Sequence, residues 1–250
     1  MKLLLTNDDG IFAKGLHTLA KELEKDHEVV IVAPESEKSA TGHAITISNS
    51  LLVKKVELPG IKSKAYSVSG TPADCVRVAL DKLVEDKVDM VLSGINMGLN
   101  LGMDVLYSGT VSAAIEANIY NIPSIAVSAE YKDGKACYEI GAKYSKDVLE
   151  KSKENSIRNN IVLNVNTPYL DEEEVKGIQV CKIGEVIYDY YFIENDNENG
   201  DLTLKIKGRE DKQFKEGTDR HFLKEGYVTV TPLHYDLTNF QLMKEVKGWF

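Results

Sequence analysis

Two aspartates stand side by side at Asp8 and Asp9, directly after a short apolar run and directly before Gly10. Neighbouring carboxylates repel one another unless a cation or a shared proton relieves them. In mid-strand they would face opposite ways, but at a strand-to-loop turn followed by a permissive glycine both can swing towards one point. Carboxylate, hydroxyl and amide oxygens suit Mg2+ or Mn2+ better than zinc, which favours His and Cys. An exposed acidic turn, or a cap for the following helix, would use the same residues, so the pair needs company before it means chemistry.

That company lies after other apolar runs. The polar stretch Ser36–Gly42, with Lys38 and Ser39, follows the second run, and His43 sits beside it within reach of a substrate or in a structural role. A third run leads into SGINMGLNLGMDVLYSGT, residues 93–110, which carries Asn96 and several glycines. Such a tract lets the backbone approach a ligand closely and aim N–H groups at it. Ser108, Gly109 and Thr110 fall where the next helix is predicted to begin, the expected place for a phosphate; the same residues would also serve as a simple cap.

The elements that must hold these groups read as alternating strands and helices. KLLLT at 2–6 and EVVIVA at 28–33 suit strands buried on both faces. Leu16, Leu19, Ala20 and Leu23 repeat at helical spacing between them and predict a helix over about 14–25. Residues 35–43 are expected as loop, and AITISNSLLVKKVEL as strands or a hairpin. Thr71, Pro72 and Asp74 signal a helix start. A strand at 88–93, a small-residue helix after Ser108, a strand SIAVSAE, a helix over 136–154 and a strand IVLNVNTP follow. The alternation predicts an α/β fold with a doubly wound, mostly parallel, Rossmann-like sheet. From about 178 to 250 short β segments, a hairpin turning at Asn199-Gly200 and a terminal helix are expected as an extension of one single domain whose core is about 1–170. Tyr188, Tyr190, Tyr191 and Phe192 alternate in that hairpin, where packing or an interface suits them better than base stacking.

Composition narrows the function classes. The formal charge of −9 opposes broad, non-specific nucleic-acid binding, and an anionic substrate then needs a local positive device. Three cysteines without a CxxC spacing argue against a thiolate metal site or a disulfide framework. The opening leucine run is too short for a signal peptide or membrane span, so a cytoplasmic protein with no membrane partner is expected.

TNDDG, SGTPADCV, SGINMGLNLGMDVLYSGTV and EGTD…GYVTVTPL, in that order over nearly the whole chain, resemble the SurE family of survival-protein nucleotidases. The resemblance implies a divalent-metal-dependent phosphatase acting on nucleoside 5′- and 3′-monophosphates. By motif it implies one ion per subunit on Asp8, Asp9, Ser39 and Asn96, with Ser108, Gly109 and Thr110 around the phosphate. Glu37, Lys38, Ser39 and Ala40 stand where the family usually reads NRSG, so Lys38 keeps a charge without arginine's fork. The family also implies a homodimer or homotetramer joined through a C-terminal arm. Two other readings use the same acidic pair: a non-catalytic, metal-dependent nucleotide-binding module and a phospho-accepting receiver-like domain.

Overall fold

The leucines of the first strand set the layers. In the computed structural model β1 (Lys2–Thr6) sends Leu3 and Leu5 into one helical layer and Leu4 into the other, and all three are fully buried. The structure describes residues 1–187, 190–196, 201–208 and 214–250; Tyr188 and the expected Asn199-Gly200 turn lie outside the described residues. α1 (Lys14–Leu23) buries Leu16, Leu19, Ala20 and Leu23, and β2 (Glu28–Pro34) runs parallel to β1.

The next stretch corrects the expected hairpin. Residues 44–52 alternate in sequence but form no strand, because the Thr46 N–H donates to the Asp74 carboxylate (2.9 Å) rather than to a neighbouring strand. Only β3 (Val53–Val56) is extended there, and its antiparallel partner is β4 (Lys64–Val68), which itself runs parallel to β2. α2 (Pro72–Val78) opens on a capping box between Thr71 and Asp74, with Pro72 at its first position. One π-type turn, Ala79–Leu83, prolongs it. β5 (Met90–Met97) continues past Ser93, so Asn96 lies inside the strand, at an irregularity in its pairing with the next one, rather than in a following loop.

α3 (Gly109–Ile119), β6 (Ser124–Ala129), the small hairpin of β7 (Tyr131–Lys132) and β8 (Lys135–Ala136), α4 (Tyr138–Asn159) and β9 (Val162–Thr167) follow. Then come β10 (Ile178–Val180), the antiparallel ribbon of β11 (Tyr190–Asp196) and β12 (Leu202–Gly208), a short helix α5 (Asp219–Lys224) absent from the sequence reading, β13 (Val228–Leu233) and α6 (Phe240–Lys247).

Among the described residues the central sheet has the order β10-β13-β9-β6-β5-β1-β2-β4-β3. It is mostly parallel, with antiparallel pairs at β13–β9 and β3–β4. α1 and α4 cover one face, α2 and α3 the other. β10 and β13 join this sheet, whereas the β11–β12 ribbon and α6 lie outside it and leave Phe192, Ile193, Leu204, Phe240 and Met243 exposed. From β1 the chain first moves to β2, then returns to place β5 on the other flank of β1. The crevice beyond the carboxyl ends of β1 and β5 is therefore the topological switch point, where open α/β sheets bind ligands. Among the described residues no helix is long and apolar enough to cross a membrane.

Candidate active site at the switch point

Asp8 and Asp9 leave β1 at that crevice. Asn7 holds the turn: its side chain accepts from the Gly10 N–H (3.2 Å) and donates to the Gly10 carbonyl (2.9 Å), with Gly10 at φ +102°. Asp8 is 3% exposed, and its carboxylate accepts a short hydrogen bond from the Thr110 hydroxyl. A Cβ on Gly109 would lie 2.9 Å from the Asp8 Cβ, so glycine is required there for α3 to begin against the carboxylate. The Lys38 N–H donates to the Asp8 carbonyl (2.7 Å), which ties the 35–43 loop to the same point.

Asp9 is less enclosed. Its Oδ2 accepts from the Met97 N–H (3.0 Å), which places Asn96 one residue from the pair. Burial is the main cause that lifts Asp9 to about 6; the Met97 N–H pulls it back, and the charges of Asp8 and Glu37 push it further up. Burial likewise raises Asp8, against the hydrogen bonds from Thr110. Among the described residues no Lys, Arg or His forms an ion pair with either carboxylate. Two partly desolvated carboxyl groups thus stand together without a resident positive charge, which is the electrostatic environment a divalent cation relieves. Asn96 donates its amide N–H to the Gly98 carbonyl (2.8 Å), leaving its oxygen available. The oxygen donors at hand fit a hard cation. Among the described residues no three or more His, Cys, Asp and Glu gather as a metal cluster, so an ion here would draw on amide and hydroxyl oxygens as well.

The remaining expected residues take more varied places. Ser39 is exposed and donates its hydroxyl to Glu37 (2.7 Å). The Lys38 ammonium lies close enough to Cys75 to oppose the rise that burial imposes on that thiol. Ser108 is the N-cap of α3, its oxygen accepting from the Val111 N–H (3.1 Å). Thr110 is fully buried, with both its hydroxyl and its backbone N–H turned to Asp8. His43 pairs with Glu116 of α3 (2.6 Å), a buried carboxylate that also meets Arg77 (3.4 Å). No hydrogen bond links His43 to the aspartates among the described residues.

Several supporting residues carry roles that the sequence reading did not assign. Asp219 is fully buried and accepts from the Gly102 N–H (2.7 Å) and the Gly184 N–H (2.9 Å). Arg220 beside it donates to the Leu101 carbonyl (2.9 Å) and to Asp104 (2.7 Å). Asn100 is locked by Asn166 and Ser128, both at 2.8 Å. Together these groups fix the tract that leads from β5 to Ser108. EGTD was visible as a motif, but its partners lie 35 and 117 residues upstream, and no local signal names them.

The description "Survival protein SurE" fits the family model that matches residues 3–190. The chain belongs to the SurE family. A protein named 5′-nucleotidase SurE from a Clostridium botulinum Type A strain is 54% identical to it, covering 100% of this chain and 99% of that relative. Another of that name from Clostridium tetani is also 54% identical, with 100% of both chains covered. The crystal structure of a SurE protein from Aquifex aeolicus superposes with a TM-score of 0.88 at 40% identity, covering 100% of this chain and 99% of that one. The SurE assignment thus rests on agreement along the full length of the chain.

Proposed function

We propose that this chain is a 5′-nucleotidase, hydrolysing nucleoside 5′-monophosphates, and their 3′ counterparts, to nucleoside and inorganic phosphate. The carrying observation is the Asp8–Asp9 pair at the switch point, with Asp8 buried against the start of α3, in a chain 54% identical over its length to proteins named 5′-nucleotidase SurE. One divalent ion per subunit, Mg2+ or Mn2+, would be held by Asp8, Asp9, Asn96 and, once its hydroxyl turns from Glu37, Ser39. When bound, such an ion neutralises phosphate charge and lowers the pKa of water.

The chain's own groups do the rest. Thr110 clamps Asp8 and the Met97 N–H clamps Asp9, so the two carboxylates are oriented before substrate arrives. The first N–H group of α3, from Gly109, has no carbonyl of its own helix to serve and can take a phosphate oxygen as negative charge develops, while the Thr110 N–H is turned to Asp8. Asp9 keeps Oδ1 free beside the crevice, while Asp8 is closed in by α3. The exposed apolar side chains of α6, with Leu237 before it and Trp249 after it, support a homodimer or homotetramer joined through this arm.

Phosphate release from nucleoside monophosphates, with Mg2+ or Mn2+ and then with chelator, tests the reading. Turnover that chelator abolishes is expected, and Asp8→Asn should reduce kcat/KM by about a thousandfold or more with the fold intact by circular dichroism. Metal-dependent nucleotide binding without phosphate release would identify a binding module instead. Stable phosphorylation of an aspartate without turnover would identify a receiver-like domain.

A further inference from the structure

The loop that leaves β2 carries Ser39 past the aspartates in a shape its own backbone does not favour. Ala40 and Gly42 both lie in the left-handed region, at φ +55° and +56°, which disfavours any residue with a Cβ. Inside the loop, Thr41 donates its hydroxyl to the Lys38 carbonyl (2.9 Å) and Ser39 donates to Glu37 (2.7 Å). The rest of the shape is imposed by what the loop is tied to. At its start the tie is the acidic turn, through the Lys38 N–H on the Asp8 carbonyl (2.7 Å). At its end the Gly42 N–H donates to the Tyr107 carbonyl (3.0 Å), and the His43 Nε2 lies 2.6 Å from a carboxylate oxygen of Glu116. A carboxylate only accepts, so the ring nitrogen donates. The Glu116 side chain is 5% exposed on α3 and also meets Arg77, at a longer 3.4 Å. A buried carboxylate is costly unless a donor answers it, and a charge-assisted bond is the stronger kind. Past His43 the chain is fixed to α2 instead: Thr71 donates its hydroxyl to the Ala44 carbonyl (2.7 Å), and Asp74 takes the Thr46 N–H and hydroxyl. The His43–Glu116 bond is therefore the side-chain contact that registers the loop on α3, the helix whose first turn faces Asp8.

We propose that His43 and Glu116 are positioning residues: their bond holds the Lys38–Gly42 loop against α3 and so sets where the Ser39 hydroxyl stands relative to Asp8 and Asp9. His43 then acts on a cation through Ser39, and makes no contact with substrate. Without the bond the loop gains slack, and Ser39 keeps Glu37 as its partner. The inference rests on Ser39 serving the ion in the reading above, and it gives the buried carboxylate of α3 a task in that site.

Two readouts separate the anchor from its effect on the ion. Hydrogen exchange of the Lys38 and Gly42 amides in metal-free protein reads the anchor alone. His43→Ala should speed both by about tenfold, while the Val111 amide, bonded within the α3 cap, keeps its rate. His43→Gln, whose side-chain N–H can reach Glu116 in place of the ring, should restore them. His43→Ala combined with Glu116→Gln leaves no carboxylate buried without its donor, so the same loosening there excludes general destabilisation. Mn2+ alone is then titrated by calorimetry, without nucleotide. His43→Ala should weaken its binding about tenfold, and His43→Gln by about twofold or less. On a Ser39→Ala background the His43→Ala change should add nothing, because its effect runs through that hydroxyl. Unchanged exchange rates in His43→Ala would overturn the anchor. Faster exchange with Mn2+ losses that add to those of Ser39→Ala, or with no loss, would overturn the route through Ser39. Faster exchange in a protein whose wild type binds no Mn2+ would support the anchor and overturn only the cation reading.

Discussion

At the carboxyl ends of β1 and β5, polar groups are buried and most are partnered within the chain; along α6 and the β11–β12 ribbon, apolar groups are exposed and, among the described residues, nothing covers them. The first region pays desolvation of Asp8 and Asp9 and offsets part of it with the Thr110 hydroxyl and the Met97 N–H, leaving a deficit of positive charge. The second leaves a deficit of apolar contact. The two deficits call for different partners, a small cation in one case and another protein surface in the other. Experiments that add or remove each partner test whether the regions are independent.

The largest effect on stability is expected where the comparison is drawn most sharply, at the support beneath the glycine tract. Asp219→Ala leaves the N–H groups of Gly102 and Gly184 buried without acceptors. At about 1–3 kcal/mol for each of the two unsatisfied groups, the loss should reach about 2–6 kcal/mol. A shift of the urea midpoint to lower concentration checks it. Activity should fall at least tenfold in the same variant under conditions where it remains folded, because Gly102 to Tyr107 is the turn that delivers Ser108 and α3 to Asp8. Asp219→Asn keeps one acceptor oxygen and should lie between. An unchanged midpoint would mean that the tract holds itself, and that the site depends less on the C-terminal half than these bonds indicate.

The next effect comes from the charge deficit itself. Burial holds Asp9 at about 6, above its ordinary 3.8. A carboxyl raised in the folded state contributes stability that is fully present below the unfolded value and lost as pH rises through the folded one. In metal-free protein, wild type and Asp9→Asn should therefore match below about pH 4, diverge as pH rises from about 4 to about 6, and keep a constant gap above that, with the Asn variant the more stable. The rise corresponds to about 3 kcal/mol at full weight, and the partial exposure of Asp9 reduces the expectation to about 1–2 kcal/mol. Thermal unfolding in chelator across that range measures it. Added Mg2+ or Mn2+ should stabilise wild type and not the variant; equal stabilisation would place the cation elsewhere.

How far these features were legible depends on the range of the forces that make them. β1, α1 and the Thr71 capping box follow from contacts within a few residues, and the periodicity and the cap signature carry them directly. The acidic pair was legible for the same reason, since its turn is closed by Asn7 and Gly10 alone. Residues 44–52 misled because alternation promises a strand only where a partner edge exists, and Asp74 takes the Thr46 N–H instead. Thr110 was expected beside a phosphate, but its hydroxyl finds Asp8, which is adjacent only once β1 and α3 meet. α5 and the Asp219 contacts depend on the tract upstream, 117 residues away, and leave no pattern a local window can hold. The terminal helix was expected from sequence, but among the described residues its apolar side chains stay exposed, which no local pattern explains.

The smallest effect on chemistry is expected from removing that arm. Asn239 caps α6 through the Leu242 N–H (3.2 Å), so the helix is locally well formed, yet Leu237, Phe240, Leu242, Met243 and Trp249 remain exposed. A helix with an apolar stripe and no surface to cover gains little as a monomer, because tertiary packing rather than propensity supplies most helical stability. Deleting residues 234–250 should therefore lower the assembly's mass in light scattering and remove any protein-concentration dependence of the unfolding midpoint. The bonds that position Asp8, Asp9 and the α3 N-terminus all lie before residue 234, so kcat/KM per subunit should change by no more than about threefold, about 0.6 kcal/mol. A larger loss with the mass unchanged would show that the arm serves the site of its own chain. A larger loss accompanied by dissociation would show that the two deficits are coupled, each active site drawing its order from the neighbouring subunit.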